Sequence, residues 1–204
     1  MKYRTPVFVF LILFINFYAF SQDLQPGFPK LMFVNAKAGL RERTEPSIRG
    51  NINRTLLYGE TVQVFFRQNT AVTIDGITDY WYSTLWSNNS DSWIFGGYLS
   101  EELPSDLPVI IGRWDDKNNE IQYYDFSVNH RYAEGYKETG MGIWGTWRLD
   151  GNTLTIMQDS AMGDIIIDPP EEWILQLNII DRNNINLLMS DNRVIMLSRN
   201  RTGW

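Results

Sequence analysis

The sequence contains no cysteine and only one histidine. The absence of cysteine excludes disulfides, thiol catalysis, cysteine-ligated metals and attachment of a lipid through a cysteine. The single histidine, His130 in the turn-like segment SVNH, leaves no basis for a multi-histidine metal site or a histidine-dependent catalytic triad. No glycine-rich phosphate loop precedes a helical segment either. The sequence therefore predicts neither a cofactor nor a metal.

The sequence also lacks a hydrophobic run long enough to span a membrane. Its longest apolar segment, residues 7–20, has 14 residues, whereas a spanning helix needs about 20. Lys2 and Arg4 precede this segment, and Ala19 and Ser21 supply small residues at its end. This layout predicts a secretory signal peptide, residues 1–21, cleaved before Gln22, with an uncleaved membrane anchor as the alternative. We expect an exported protein, periplasmic or secreted, with no stable membrane anchor after cleavage.

The mature chain is poor in positive charge. Loss of Lys2 and Arg4 takes the basic side chains from 18 to 16, against 24 acidic ones, for a net charge of −8. A strongly acidic exported protein is a poor partner for nucleic acids and for anionic lipid surfaces. Nucleic acid is therefore not expected among its partners.

Short alternating apolar segments, such as TVQVFF and IQYYDFSV, recur along the whole chain, and no long segment has helical spacing. Turn compositions rich in Asn, Asp and Gly, such as DDKNNE and LDGNT, separate them. Both halves are therefore predicted to be all-β and antiparallel.

The segment EELPSDLP, rich in proline and carboxylates, predicts a boundary between two domains. The predicted organisation is a signal peptide (residues 1–21), a lead-in (22–30), a first domain (31–103), a linker (104–108) and a second domain (109–200).

Four segments of the first half occur in a characteristic order: VNAKAGLRERTEPS, LLYGETVQVF, IDGITDYWY and SWIFGGYLS. Together they resemble a bacterial SH3 domain, a small barrel of exported proteins, over residues 31–99. The resemblance implies recognition of a cell-envelope polymer or peptide, namely peptidoglycan or its stem peptide. The sequence departs from the family at Glu42, where an apolar residue is usual. A carboxylate facing the core requires an arginine partner or a position at the wet end of the strand.

Arg41 and Arg43 are candidate ligand-binding residues of this half. Strand alternation predicts that they share one face, while Leu40 and Glu42 share the other. A role in the scaffold or on a solvated face is the competing interpretation, because isolated exposed charges contribute little energy.

The aromatic segment YWYSTLW provides three further candidates. Alternation places Trp81 and Leu85 on one face, and Tyr80, Tyr82 and Trp86 on the other. In a small single-layer barrel one of these faces is expected to be exposed, where it would bind a ligand or pack against the second domain.

The second half contains eight predicted strands, with Gly112-Arg113-Trp114 at the end of the first. This motif and the meander resemble the lipocalin-like barrels over residues 109–199, and predict an antiparallel up-and-down barrel. Large aromatic residues are expected to fill its interior: Trp114, Tyr124, Phe126, Trp144, Trp147 and Trp173. The alternative is an open cavity lined by Trp114, Trp144 or Trp147.

The sequence thus favours an exported, non-enzymatic binding protein whose first domain recognises a cell-envelope ligand. A small-molecule carrier built on the second barrel is the alternative. A cell-wall hydrolase is a third interpretation, and it would have to use carboxylates alone, such as Asp159, Asp164 and Asp168. The same three carboxylates could hold calcium, although their spacing matches no calcium loop.

Overall fold

The computed structural model describes residues 25–85, 91–137, 139, 141–161 and 165–202. The predicted signal peptide, the start of the lead-in, Trp86 and Asp164 lie outside the described residues. Within the described residues, no helix is long and apolar enough to cross a membrane.

The first half consists of short strands in two sheets and a hairpin. Its elements are β1 (Lys30–Val34), β2 (Leu40–Arg43), β3 (Ile52–Leu56), β4 (Thr61–Val64), β5 (Phe66–Arg67), β6 (Val72–Ile74), β7 (Ile77–Asp79), β8 (Trp81–Ser83), β9 (Trp93–Phe95), a 3-10 turn (Gly96–Tyr98) and β10 (Leu99–Ser100). One sheet has the order β10-β1-β4, the other has the order β3-β2-β9-β8-β5, and β6 pairs with β7. All described pairings are antiparallel.

Strand alternation produces two apolar clusters on opposite faces of the second sheet. Tyr82 and Ile94 pack into a cluster with Val34 and other residues of the first sheet. Trp81, Trp93 and Phe95 form a separate buried cluster on the other face. Both faces of β8 and β9 are therefore covered, which the sequence analysis did not anticipate.

The second half is a closed antiparallel barrel of eight strands, as predicted. The strands are β11 (Gly112–Asp116), β12 (Asn119–Phe126), β13 (Arg131–Tyr136), β14 (Gly142–Asp150), β15 (Thr153–Ala161), β16 (Ile165–Asp181), β17 (Asn184–Leu188) and β18 (Val194–Arg199). Each strand pairs with the next along the chain, and β18 pairs with β11 to close the barrel. The all-β fold class is thus confirmed.

Large side chains fill the barrel interior. Four of the six predicted fillers are buried there, and they are Trp114, Tyr124, Phe126 and Trp147. Trp173 is only partly buried against this cluster. Trp144 instead lines a pocket of about 230 Å³ together with Glu60 and Thr61 of the first half. The expectation that Trp144 fills the barrel is therefore wrong.

The two halves share apolar packing. Phe33 of β1 and Leu103 of the connecting segment belong to the buried cluster of the barrel. Polar contacts join the halves as well, because Lys30 pairs with Glu101 at 2.6 Å and the Tyr58 hydroxyl donates to Asp106 at 2.6 Å. The domain boundary at residues 104–108 stays a prediction.

Candidate functional site

An open groove of about 820 Å³ lies in the first half. It runs between the segment that leads into β2 and the hairpin β6-β7. Its lining combines cationic, aromatic and aliphatic side chains, and includes Lys37, Arg41, Arg43, Ile48, Ile74, Asp75, Trp81, Phe95 and Tyr98. Such a mixture is typical of a binding surface for a ligand with both charged and apolar parts.

Both arginines of the β2 segment line this groove, so the prediction that they share a face is confirmed. Arg43 is half-buried, and its Nη1 donates to the Gly50 carbonyl at 2.7 Å. Arg43 thereby holds the loop between β2 and β3, as the scaffold interpretation expected. Arg41 is exposed, and its side chain has no hydrogen-bond or ion-pair partner among the described residues. Arg41 is therefore available to a ligand.

A row of aromatic rings forms the floor and one wall of the groove. The ring centroids of Trp81 and Phe95 are 5.8 Å apart, and those of Phe95 and Tyr98 are 5.9 Å apart. Trp81 and Phe95 are buried, whereas Tyr98 is half-buried at the rim. The row thus offers an apolar surface with a phenol at its edge.

The hairpin β6-β7 closes one side of the groove. Asp75 and Gly76 form its turn with positive φ angles of 51° and 79°, as in a two-residue type I′ hairpin. The Tyr98 hydroxyl donates to Asp75 Oδ2 at 2.9 Å, which connects the turn to the aromatic wall. Gly97 permits this packing, because a Cβ there would lie 2.7 Å from Ile77 Cγ2.

Glu42 of β2 is buried and paired with an arginine. Arg54 Nε donates to its Oε2 at 2.8 Å, and Thr84 Oγ1 donates to its Oε1 at 2.6 Å. Burial opposes ionisation of Glu42, but hydrogen bonds from Ser92, Thr84 and Arg54 outweigh it and lower its pKa. The carboxylate is thus part of the framework behind the groove, and the expectation of an arginine partner is confirmed.

We expect Glu42→Gln to lower the free energy of unfolding at pH 7 by about 1 to 2 kcal/mol, since the amide replaces one acceptor by a donor. The folded-state pKa of Glu42 lies below its ordinary value of 4.5. The ionised carboxylate therefore contributes stability above pH 4.5, and this contribution disappears as the pH falls through the folded-state pKa. Urea titrations of both proteins across this acidic range measure the effect.

Glu45→Gln is the matched control, because Glu45 is exposed in the adjacent loop. A Glu42→Gln protein as stable as the Glu45→Gln protein at pH 7 would contradict the framework role of Glu42.

Two of the three aromatic candidates of the β8 segment, Tyr80 and Tyr82, do not line the groove. Tyr82 is buried, with its ring 5.9 Å from that of Phe28, so the expectation that its face is exposed is wrong. Tyr80 is half-buried, and the Arg67 guanidinium lies 4.1 Å from its ring centroid. Trp86 lies outside the described residues. Their role in ligand binding stays a prediction, and only Tyr80 among the described pair has accessible surface to offer.

The acidic residues of the second half are dispersed. Asp159 accepts from the Ser160 hydroxyl at 2.9 Å and lies 3.7 Å from Arg131 Nη1. Asp168 is exposed on β16, and Asp164 lies outside the described residues. Among the described residues, no three His, Cys, Asp or Glu side chains are close enough to hold a metal ion.

The sequence analysis did not identify Trp81, Phe95 and Tyr98 as groove residues. It used the segment SWIFGGYLS only as part of the resemblance to bacterial SH3 domains. The useful pattern was the Gly-Gly pair, because the 3-10 turn there brings the rings on either side to one surface. The Asp-Gly dipeptide was a second indication, since it predicts the hairpin that borders the groove.

Comparisons with known proteins do not extend this picture, because no family model, curated protein or solved structure matches the chain.

Proposed function

We propose that the protein is an exported, non-enzymatic binding protein whose first half is a bacterial SH3-like barrel that recognises the stem peptide of peptidoglycan. The second half, on this proposal, is a lipocalin-like barrel that supports the first. The observation that carries the proposal is Arg41, which has no partner among the described residues, beside an aromatic floor in an open groove of about 820 Å³.

The groove chemistry fits a short peptide that carries carboxylates. An arginine without an intramolecular partner can bind a carboxylate through two parallel hydrogen bonds, the strongest geometry available to the pair. Ile48 at the rim is 61% exposed and, together with the Tyr98 ring, offers an apolar surface to small side chains. The other cations of the lining are already engaged, since Lys37 pairs with Asp106 at 2.9 Å and Arg43 with Gly50.

We expect the chain from residue 22 onward to sediment with purified peptidoglycan sacculi, and Arg41→Ala to weaken this binding at least tenfold, or about 1.4 kcal/mol. The physical reason is the loss of a charge-assisted hydrogen bond to a ligand carboxylate. Conversion of the sacculus carboxylates to amides should weaken binding of the unaltered protein. The loss should equal the loss that Arg41→Ala causes with ordinary sacculi.

Arg148→Ala is the control, because Arg148 is an exposed arginine on the barrel and its loss changes the net charge equally. It should leave sedimentation unchanged. If Arg148→Ala weakens binding as much as Arg41→Ala does, the interaction is general charge attraction and the groove proposal fails. If the unaltered protein does not sediment at all, the stem-peptide ligand is wrong.

The carrier alternative calls for an interior cavity lined by Trp114, Trp144 or Trp147. Trp114 and Trp147 are packed into the barrel core, and Trp144 lies outside it. A central cavity lined by these three tryptophans therefore has no support in the described part of the chain.

A further inference from the structure

A second pocket, of about 310 Å³, lies at one end of the barrel. Its walls come from four consecutive strands, and its described lining residues are Gln122, Glu134, Gly135, Tyr136, Met141, Gly142, Ile143 and Ala161. The turn before β13 holds residues 127–130, so the pocket, lined by residues 134–136 and 141–143, lies toward the opposite end of that strand. A pocket of this size is at the lower limit of small-molecule sites.

The pairing of β12 with β13 arranges side chains in layers below the pocket mouth. Gln122 lies opposite Tyr136 at the rim, and Tyr124 lies opposite Glu134 in the next layer. Side chains two residues apart on a strand are about 7 Å apart along it. The Glu134 carboxylate therefore forms the floor of the pocket, below a rim of accessible groups.

Glu134 is 8% exposed and accepts a hydrogen bond from the Tyr132 hydroxyl. No lysine, arginine or histidine pairs with Glu134 within the described part of the chain. Arg131, three residues before it on β13, lies 3.7 Å from Asp159, and Lys137, three residues after it, pairs with Asp115 at 3.0 Å. Burial raises the pKa of the Glu134 carboxyl, and the Tyr132 hydrogen bond offsets only part of that effect. A buried acid without a cation is a cost to the fold, which a bound cation would relieve.

Buried polar side chains surround Glu134. Tyr124 and Tyr132 are both buried, and the negative charge of Glu134 raises the pKa of each, after the larger effect of burial. Deeper in the barrel, Gln158 is 1% exposed, and its Nε2 has no hydrogen-bond partner in the described chain. Gly145 pairs with both Tyr132 and Gln158, so this amide lies in the same layer as Tyr132.

We propose that this end of the barrel binds a small amphiphilic amine, with its ammonium on the Glu134 carboxylate and its apolar part against Met141, Ile143 and Ala161. Among the described lining residues the carboxylate is the single charged group, and most of the others are apolar. An ammonium group donates three hydrogen bonds and carries the charge that the buried acid lacks. This site is separate from the groove and does not depend on the stem-peptide proposal.

Calorimetric titration of the full mature chain with hexylamine and with hexanol tests the proposal. The two probes share an apolar chain and differ in charge. We expect hexylamine to bind at least tenfold more tightly than hexanol, and Glu134→Gln to remove this preference. Glutamine keeps the shape of the side chain and an acceptor for Tyr132, but it cannot balance an ammonium charge.

Glu120→Gln is the matched control, because Glu120 is exposed on the neighbouring strand β12, and it should leave the preference unchanged. Ala161→Phe keeps Glu134 but fills the pocket, so it should lower the affinity for both probes. This variant tests the site even if the Glu134→Gln protein does not fold. Equal affinities of the two probes, a preference that survives Glu134→Gln, or hexylamine binding that Ala161→Phe leaves unchanged would each overturn the proposal.

Discussion

Arg199→Ala is expected to lower the free energy of unfolding by about 4 kcal/mol, the largest single effect that we predict. Arg199 is 9% exposed, and its guanidinium donates to three backbone carbonyls. The acceptors are Arg182 at 3.0 Å, Ile111 at 2.7 Å and Val109 at 2.7 Å. Alanine would leave these carbonyls without their donors, at about 1 to 3 kcal/mol for each one that water cannot reach.

Packing adds to this loss. The guanidinium lies 4.3 Å from the ring of Trp114 and 5.4 Å from the ring of Phe33. Arg199 thus connects the last strand of the barrel, the segment that enters the barrel and β1 of the first half. Burial lowers its pKa to about 10, so the guanidinium still carries its charge at neutral pH. Its hydrogen bonds to carbonyls, rather than an ion pair, stabilise that charge.

Thermal and urea unfolding of three variants measures the effect. Arg199→Lys retains the charge but lacks the planar guanidinium whose N–H groups donate to three carbonyls. The stability of this variant should therefore be intermediate. Arg193→Ala removes an arginine that is 71% exposed and pairs with Asp191 at 2.6 Å, so it should change the free energy of unfolding by no more than about 0.5 kcal/mol. Similar stabilities of the Arg199→Ala and Arg193→Ala proteins would show that Arg199 does not join the two halves.

The barrel was the part of the fold that alternation predicted well. All eight predicted strands of the second half are present, because short segments rich in apolar residues recur there and turn compositions separate them. The start of β16, before Trp173, carries carboxylates and prolines and no alternating apolar pattern. That part of β16 is exposed in the structure, so its polar side chains are not buried in a core.

The first half was harder to predict from periodicity. Strand β3 has four exposed residues out of five, so the segment INRTL contains almost no apolar pattern to find. Strands β8 and β9 are buried on both faces, which removes the alternation altogether. The prediction of an exposed aromatic face on β8 is wrong for this reason. Tyr82 packs in one buried cluster and Trp81 packs in the other.

The candidate sites depended on contacts between distant segments. Sequence reasoning found Arg41 and Arg43, because two arginines at alternate positions of a strand share a face. It did not find Asp75 and Tyr98, which meet across 23 positions of the chain. Glu134 was not singled out either, because a lone glutamate in an alternating strand resembles an exposed polar residue until the barrel closes around it.

Gly39→Ala is expected to lower the free energy of unfolding by about 3 kcal/mol and to weaken ligand binding in the groove, whose lining includes this residue. Gly39 has a φ of +84°, which an alanine adopts only with strain. A Cβ there would also lie 2.8 Å from the Leu56 carbonyl oxygen, which is backbone of the neighbouring strand β3. Relief of this contact requires β2 to move away from β3, and Arg41 moves with it.

Gly27→Ala separates the strain of a positive φ from the close contact of the added Cβ with the neighbouring strand. Gly27 has the same φ of +84°, but nothing lies within 4 Å of the position that its Cβ would take. The strained backbone alone should cost about 1 kcal/mol at Gly27, so the remaining 2 kcal/mol or so at Gly39 measures the close approach of the strands. Equal losses for the two variants, from urea unfolding, would mean that β2 and β3 tolerate the extra carbon. In that case Gly39 serves the turn alone, and sedimentation of the Gly39→Ala protein with sacculi should match that of the unaltered chain.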